Sequence, residues 1–126
     1  MTTISCTSGE DASGLDQPSV EVKNSETMTV KTVPKEFQSG QGRFNTFCRR
    51  CHGKNAQGTD MGPPLVHKIY EPSHHGDFAF FRAAAQGVKA HHWKFGNMPK
   101  IYDATPQDVA EIIPYVRWLQ REAGIY

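Results

Sequence analysis

Apolar residues are sparse over residues 1–34 and periodic after them. The first stretch is rich in Ser, Thr, Gly and Glu, a composition that buries too little surface to offset its ordering entropy. It reads as a flexible or loosely packed extension, a tether, with one weak alternation at residues 28–33 (MTVKTV) that predicts a short extended segment. From Lys35 onward, Phe37, Gly40, Phe44, Phe47, Cys48 and Cys51 recur at three- and four-residue steps, one face of a helix running into the sequence CRRC. Gly40 and Gly42 each cost such a helix about 1 kcal/mol relative to Ala. A glycine kept on the apolar face, Gly40, predicts close approach by another backbone.

Residues 53–72 carry three Gly and three Pro and read as loop. A second helix is expected over 77–86, with Asp77 as N-cap, Phe78, Phe81 and Ala85 on one face, and Gly87 closing it. A loop follows. The last helix begins at Thr105 as N-cap, with Pro106 in the first turn and Asp108 complementing the dipole. Val109, Ile112, Ile113, Val116 and Leu119 form its apolar stripe, and Gly124 stops it. Pro114 lies inside this helix, where proline costs about 3 kcal/mol and predicts a kink. The division is thus 1–34 as extension and 35–126 as one domain, with no internal repeat.

A chain of 126 residues with 37% hydrophobic positions makes one small domain, marginal unless something besides side chains fills its core. The net charge of +1 gives no reason to expect a nucleic-acid partner. The charge is uneven, two Lys against five acids over 1–34 and twelve Lys or Arg against eight acids after that. No apolar run is long enough to cross a membrane. The first residues lack a basic start and an apolar stretch, so no signal peptide is read and a mature or trimmed form is expected.

The candidate chemistry is the run CRRCHG, residues 48–53. Positions i and i+3 of a helix share a face, with Cβ atoms about 5–6 Å apart, so Cys48 and Cys51 present two sulfurs to one flat ligand. His52 points elsewhere and reaches the centre of that ligand. C-x-x-C-H is the attachment signature of c-type haem, held by two thioethers with the imidazole as one axial ligand. Three other readings compete: a thioredoxin-like C-x-x-C, which needs a surrounding sheet; a zinc site, which would ask adjacent Cys51 and His52 to reach one small ion; and chance.

At this point residues 36–124 resemble the class I cytochromes c, the short bacterial mono-haem type, here with an N-terminal extension. The resemblance rests on Gly40 and Phe44 before the haem motif and on Gly62-Pro63-Pro64-Leu65 after it. It continues through the glycine-terminated helix FFRAAAQG and Met98-Pro99 to Tyr115 in the last helix. It implies an all-α fold of three to five helices around one covalently bound haem c, with the N- and C-terminal helices crossing at Gly40, Phe44, Ile112 and Tyr115. It also implies that Met98 is the second axial ligand, a soft thioether that raises the reduction potential. Pro63 then accepts a hydrogen bond from His52 Nδ1, Leu65 packs at the cofactor, and Trp93 donates to a haem propionate. Taken without the resemblance, Met98 is a buried loop residue, Pro63 a stiff loop and Trp93 core packing.

Departures from the pattern are the bulky AHHWKFG segment, Pro114 beside Tyr115, and the front extension. His67, His74, His75, His91 and His92 read as surface or structural histidines; one replacing Met98 on the iron would lower the potential. Cys6, after TIS, resembles the lipid-bearing cysteine of a bacterial lipoprotein; the alternative is a free thiol in the tail. The implied function is electron transfer without enzymatic activity, by a monomer, from a quinol-oxidising complex to a terminal oxidase. Its setting is the periplasm or another extracytoplasmic space, with a membrane tether through Cys6. Basic residues (Arg49, Arg50, Lys54, Lys89, Lys94, Lys100) would form a rim that steers an acidic partner. Two other classes stay open: the electron-entry subunit of a larger oxidoreductase, and a haem sensor or enzyme with a labile Met98.

Overall fold

The computed structural model describes residues 31–126, and among them the regular structure is helical. Four α-helices occur: α1 (Lys35–Phe47), α2 (Arg49–His52), α3 (Asp77–Gln86) and α4 (Pro106–Glu122). Two 3-10 turns, Lys54–Ala56 and Lys68–Tyr70, lie in the segment between α2 and α3, and one antiparallel bridge pairs Val88 with Met98. The sheet that a thioredoxin-like reading needs is missing from the described residues. None of their helices is long and apolar enough to cross a membrane.

The crossing of α1 with α4 organises the core. A Cβ built on Gly40 would overlap the Glu111 carbonyl oxygen and lie 2.9 Å from Tyr115 Cβ, so only glycine lets the two backbones meet. Beside this contact the Phe44 and Tyr115 rings pack at 5.6 Å, and Phe37 stacks on Trp118 at 5.9 Å. Phe44 and Tyr115 are fully buried, and burying side chains of this size stabilises by about 1.5–3 kcal/mol each. Arg43 locks the edge of the crossing through ion pairs with Asp108 and Glu111, the latter at 2.6 Å. The helix crossing expected from Gly40, Phe44, Ile112 and Tyr115 is therefore present.

Several expectations are modified. Residues 31–34, assigned to the extension, join the folded unit at least through Val33, which is buried against the core and accepts from Gln38 Nε2 at 3.1 Å. No strand forms at residues 31–33; residues 28–30, like Cys6, lie outside the described residues. The N-cap of α3 is Gly76 rather than Asp77. Asp77 instead accepts from Arg117 Nε at 3.0 Å. Phe78 is 75% exposed, and Phe80 packs on the core in its place, beneath the Arg117 guanidinium. Periodicity located the helix but not its rotation about its axis, because four aromatic or alanine positions in a row offer two adjacent faces.

Helix α4 runs unbroken through Pro114. The proline is on the exposed side, and Ala110, whose carbonyl lacks the usual amide partner, is exposed as well. Water can satisfy that carbonyl, so the helix continues. Thr105 caps α4 with a reciprocal box: Asp108 N donates to Thr105 Oγ1 at 3.2 Å, and Thr105 N donates to the Asp108 carboxylate at 2.8 Å. Asp108 thus serves the cap and the Arg43 ion pair together, beyond its expected role at the helix dipole.

Candidate cofactor site

The run of helix from α1 into α2 turns at Cys48, whose backbone leaves regular helix geometry (φ −119°, ψ −32°) while the amide bonding continues. Cys48 N donates to Phe44 O at 2.8 Å, and His52 N donates to Cys48 O at 2.9 Å. Cys51 and His52 therefore stand on a short helical turn that is continuous with α1 in hydrogen bonding. Thr59 Oγ1 donates to the Cys51 carbonyl at 2.6 Å and holds the end of that turn.

His52 is buried, and its Nδ1 lies 2.8 Å from the Pro63 carbonyl oxygen. A carbonyl can only accept, so Nδ1 carries the proton and Nε2 keeps its lone pair. Burial holds the ring below the ordinary imidazole value, against the opposing influence of the Pro63 bond. The result is a neutral imidazole of fixed tautomer and fixed plane. Burial, and secondarily Cys51, pushes the Cys48 thiol up to about 11.

Met98 comes from the loop between α3 and α4. Its N–H donates to Val88 O and its carbonyl accepts from Val88 N–H, both at 2.9 Å. Gly87, which ends α3 with φ +76°, sits directly under this bridge; a Cβ there would lie 2.5 Å from Met98 O. Ile101 N donates to Ala84 O at 2.8 Å and fastens the far side of the loop to α3. The methionine is thus placed by backbone pairing rather than left on a loose loop.

These segments enclose a cavity of about 440 Å³. Six of the seven sequence-predicted residues line it: Cys48, His52, Pro63, Leu65, Trp93 and Met98; Cys51 does not. Phe47 of α1, Phe80 of α3, and Val109 and Ile112 of α4 complete apolar walls. Space of this size, an imidazole with a free lone pair, a thioether sulfur and a cysteine backed by a second one helical turn on fit a covalently held haem. A small zinc site needs none of that volume.

The structure also adds residues. The Trp93 indole N–H, expected to donate to a haem propionate, donates here to the Tyr70 hydroxyl at 3.0 Å, which puts both side chains together at the cavity wall. Tyr70 itself was missed, because it lies in a segment with no periodicity to place it. Arg117 and Gln120 were also missed. Arg117 is buried, and its guanidinium donates to Asp77, Gln120 and the carbonyls of Tyr70 and His75. Gln120 Nε2 donates to the carbonyls of Leu65 and Tyr70 at 2.9 and 3.0 Å. Together they moor the loop between α2 and α3, and with it Leu65, to α4. A signal for them existed: both stand four residues after an apolar stripe position, Ile113 or Val116. Of the other histidines, His75, His91 and His92 also line the cavity.

Comparison with known proteins agrees with this geometry. The family model described as cytochrome c matches residues 37–120. Neither the curated proteins nor the solved structures provide a match.

Proposed function

From the premise that this chain belongs to the cytochrome c family, an electron-transfer haem protein with haem c bound covalently through Cys48 and Cys51, we propose that it is a mono-haem carrier. In this reading it takes single electrons from a quinol-oxidising complex and delivers them to a terminal oxidase, without an enzymatic reaction of its own. His52 and Met98 are the axial ligands. The observation that carries the reading is that both donors are held in place by the chain's own backbone, His52 by the Pro63 carbonyl and Met98 by its paired bonds to Val88.

Bound in the cavity, haem c supplies a one-electron iron couple. The chain's residues do the remainder. His52 and Met98 would both hold the iron, and two protein ligands would leave no place on it for a substrate. Phe47, Leu65, Phe80, Val109 and Ile112 exclude water, and a dry pocket with fixed ligands keeps rearrangement small when the charge changes. Methionine sulfur favours the reduced state. Arg49, Arg50, Lys54, Lys89, Lys94 and Lys100 are all exposed, and Lys89 lies in the cavity wall. These charges support brief, salt-sensitive docking of acidic redox partners. The reading places the protein as a monomer in the periplasm or another extracytoplasmic compartment, the side on which haem c is attached, with lipidation of Cys6 as its membrane tether.

The test is an optical and redox titration of matured protein. One reversible one-electron wave, the weak far-red band of methionine-ligated ferric haem, loss of that band in Met98→Ala, and no carbon monoxide uptake by the native reduced protein are expected. Rapid carbon monoxide binding to native protein would make it a sensor or enzyme instead. Stable co-purification with a catalytic subunit would make it that enzyme's electron-entry part.

A further inference from the structure

Six histidines occur in the chain, and the site above uses one. Four of the others converge from two segments, His74 and His75 before α3 and His91 and His92 before Met98. Ring centroids lie 4.7 Å apart for His74 and His75, 5.7 Å for His74 and His92, and 5.7 Å for His75 and His92. One ring nitrogen from each of His74, His75 and His92 lies within 4.8 Å of the other two. Imidazoles crowd in this way at a cost if protonated. His92 is held below the ordinary value by burial and then by its neighbours His91, His75 and His74.

We propose that His74, His75 and His92 form a binding site for a divalent transition-metal ion, zinc or copper(II), separate from the haem iron. Nitrogens on a tetrahedral zinc, at about 2.0–2.1 Å from the ion, stand about 3.3 Å apart. The trio stands within about 1.5 Å of that spacing, and the His74 and His92 side chains are exposed.

The geometry prepares His75 in particular. Its Nδ1–H donates to the Ile69 carbonyl at 2.6 Å, which leaves the Nε2 lone pair for a metal, the carbonyl–histidine arrangement that orients metal ligands. Its own carbonyl accepts from Arg117 Nη2 at 2.5 Å, so its backbone is tied to α4. The amides of His74 and His75 both donate to the Glu71 carbonyl, at 3.0 and 2.9 Å. On the other segment Asn97 Oδ1 accepts from Ala90 N at 2.9 Å and closes the loop that carries His92. Adjacent histidines seldom share an ion, but a ring nitrogen of His74 already lies within 4.8 Å of one of His75. An all-imidazole donor set selects zinc, copper or nickel over magnesium and calcium. Water completes the coordination. The ion joins the turn before α3 to the loop six residues before Met98.

The experiment is calorimetric titration of metal-free holoprotein with zinc, alongside the copper(II) paramagnetic resonance spectrum. One equivalent of zinc is expected, with affinity weakened by about tenfold or more in His75→Ala and in His92→Gln and unchanged in His67→Ala. Copper is expected to show coupling to imidazole nitrogens. Absence of stoichiometric binding, or equal binding by the His75 and His92 variants, overturns the proposal. The far-red band of the native protein tests Met98 ligation independently, and its loss would leave a positive zinc result standing.

Discussion

Met98 and Val88 exchange both of their backbone hydrogen bonds, each 2.9 Å long, and Gly87 lies beneath the pair. A two-residue bridge is a weak element by itself. Here it fixes the register of a loop whose methionine faces the cofactor cavity, and it tolerates no side chain at position 87. Gly87→Ala places a Cβ against Met98 O in a backbone conformation that L-residues rarely adopt. We expect a loss of about 1–3 kcal/mol. The far-red band should weaken while the covalent pigment remains. A variant with an unchanged band and unchanged stability would show that the bridge does not position the methionine.

Gly40→Ala tests the helix crossing. The added methyl meets the Glu111 carbonyl and Tyr115 Cβ, and overpacking of this kind costs about 1–3 kcal/mol. The denaturation midpoint of the holoprotein should fall and the haem spectrum should stay native, because the contact lies between α1 and α4 rather than in the cavity wall.

Arg117 carries the largest buried polar network among the described residues. Removal strands the Gln120 side-chain carbonyl oxygen and the His75 backbone carbonyl, and leaves the Tyr70 carbonyl with Gln120 Nε2 as its donor. Each buried oxygen left without its donor costs about 1–3 kcal/mol. Arg117→Lys keeps the charge but lacks the planar fork, so thermal unfolding should show most of that loss even in the lysine variant. Full recovery by lysine would mean that charge alone matters.

Stability should depend on pH through Asp108 and Glu111. Asp108 is held below its ordinary value first by hydrogen bonds from Thr105 and then by Arg43; Glu111 is lowered by the Ser39 hydroxyl and by Arg43. A carboxylate with a depressed folded-state value binds its proton more weakly when folded. Its contribution is therefore complete above the ordinary values of 3.8 and 4.5 and is lost as pH falls through the depressed ones. Acid titration of Asp108→Asn should show a lower plateau near neutrality and a shallower acid limb. An acid limb as steep as that of the native protein would place the titrating groups elsewhere.

The cap of α4 offers a smaller measure. Thr105→Ala removes the acceptor for Asp108 N and should cost about 1 kcal/mol, read from the denaturant midpoint.

The sequence by itself determined the parts whose chemistry is local. The spacing of Cys48, Cys51 and His52 is legible as an attachment run from the sequence alone, although the fold brings only Cys48 and His52 of the three to the cavity wall. The Thr105 cap and the α4 stripe follow from the 3.6-residue period, and Gly40 announced a close contact because its cost needs a reason. What only the tertiary structure decided lies where no period exists. The loop residues Tyr70, His75 and Val88 acquire partners only when segments far apart in the chain meet. Trp93 meets Tyr70 across the loop, and Phe80 rather than Phe78 turns inward because α4 sets the rotation of α3. At Pro114 the sequence gives the missing hydrogen bond but not the side on which it falls; the fold puts it toward water. The histidine cluster is likewise a product of folding, since no spacing rule links residues 74 and 75 to residue 92.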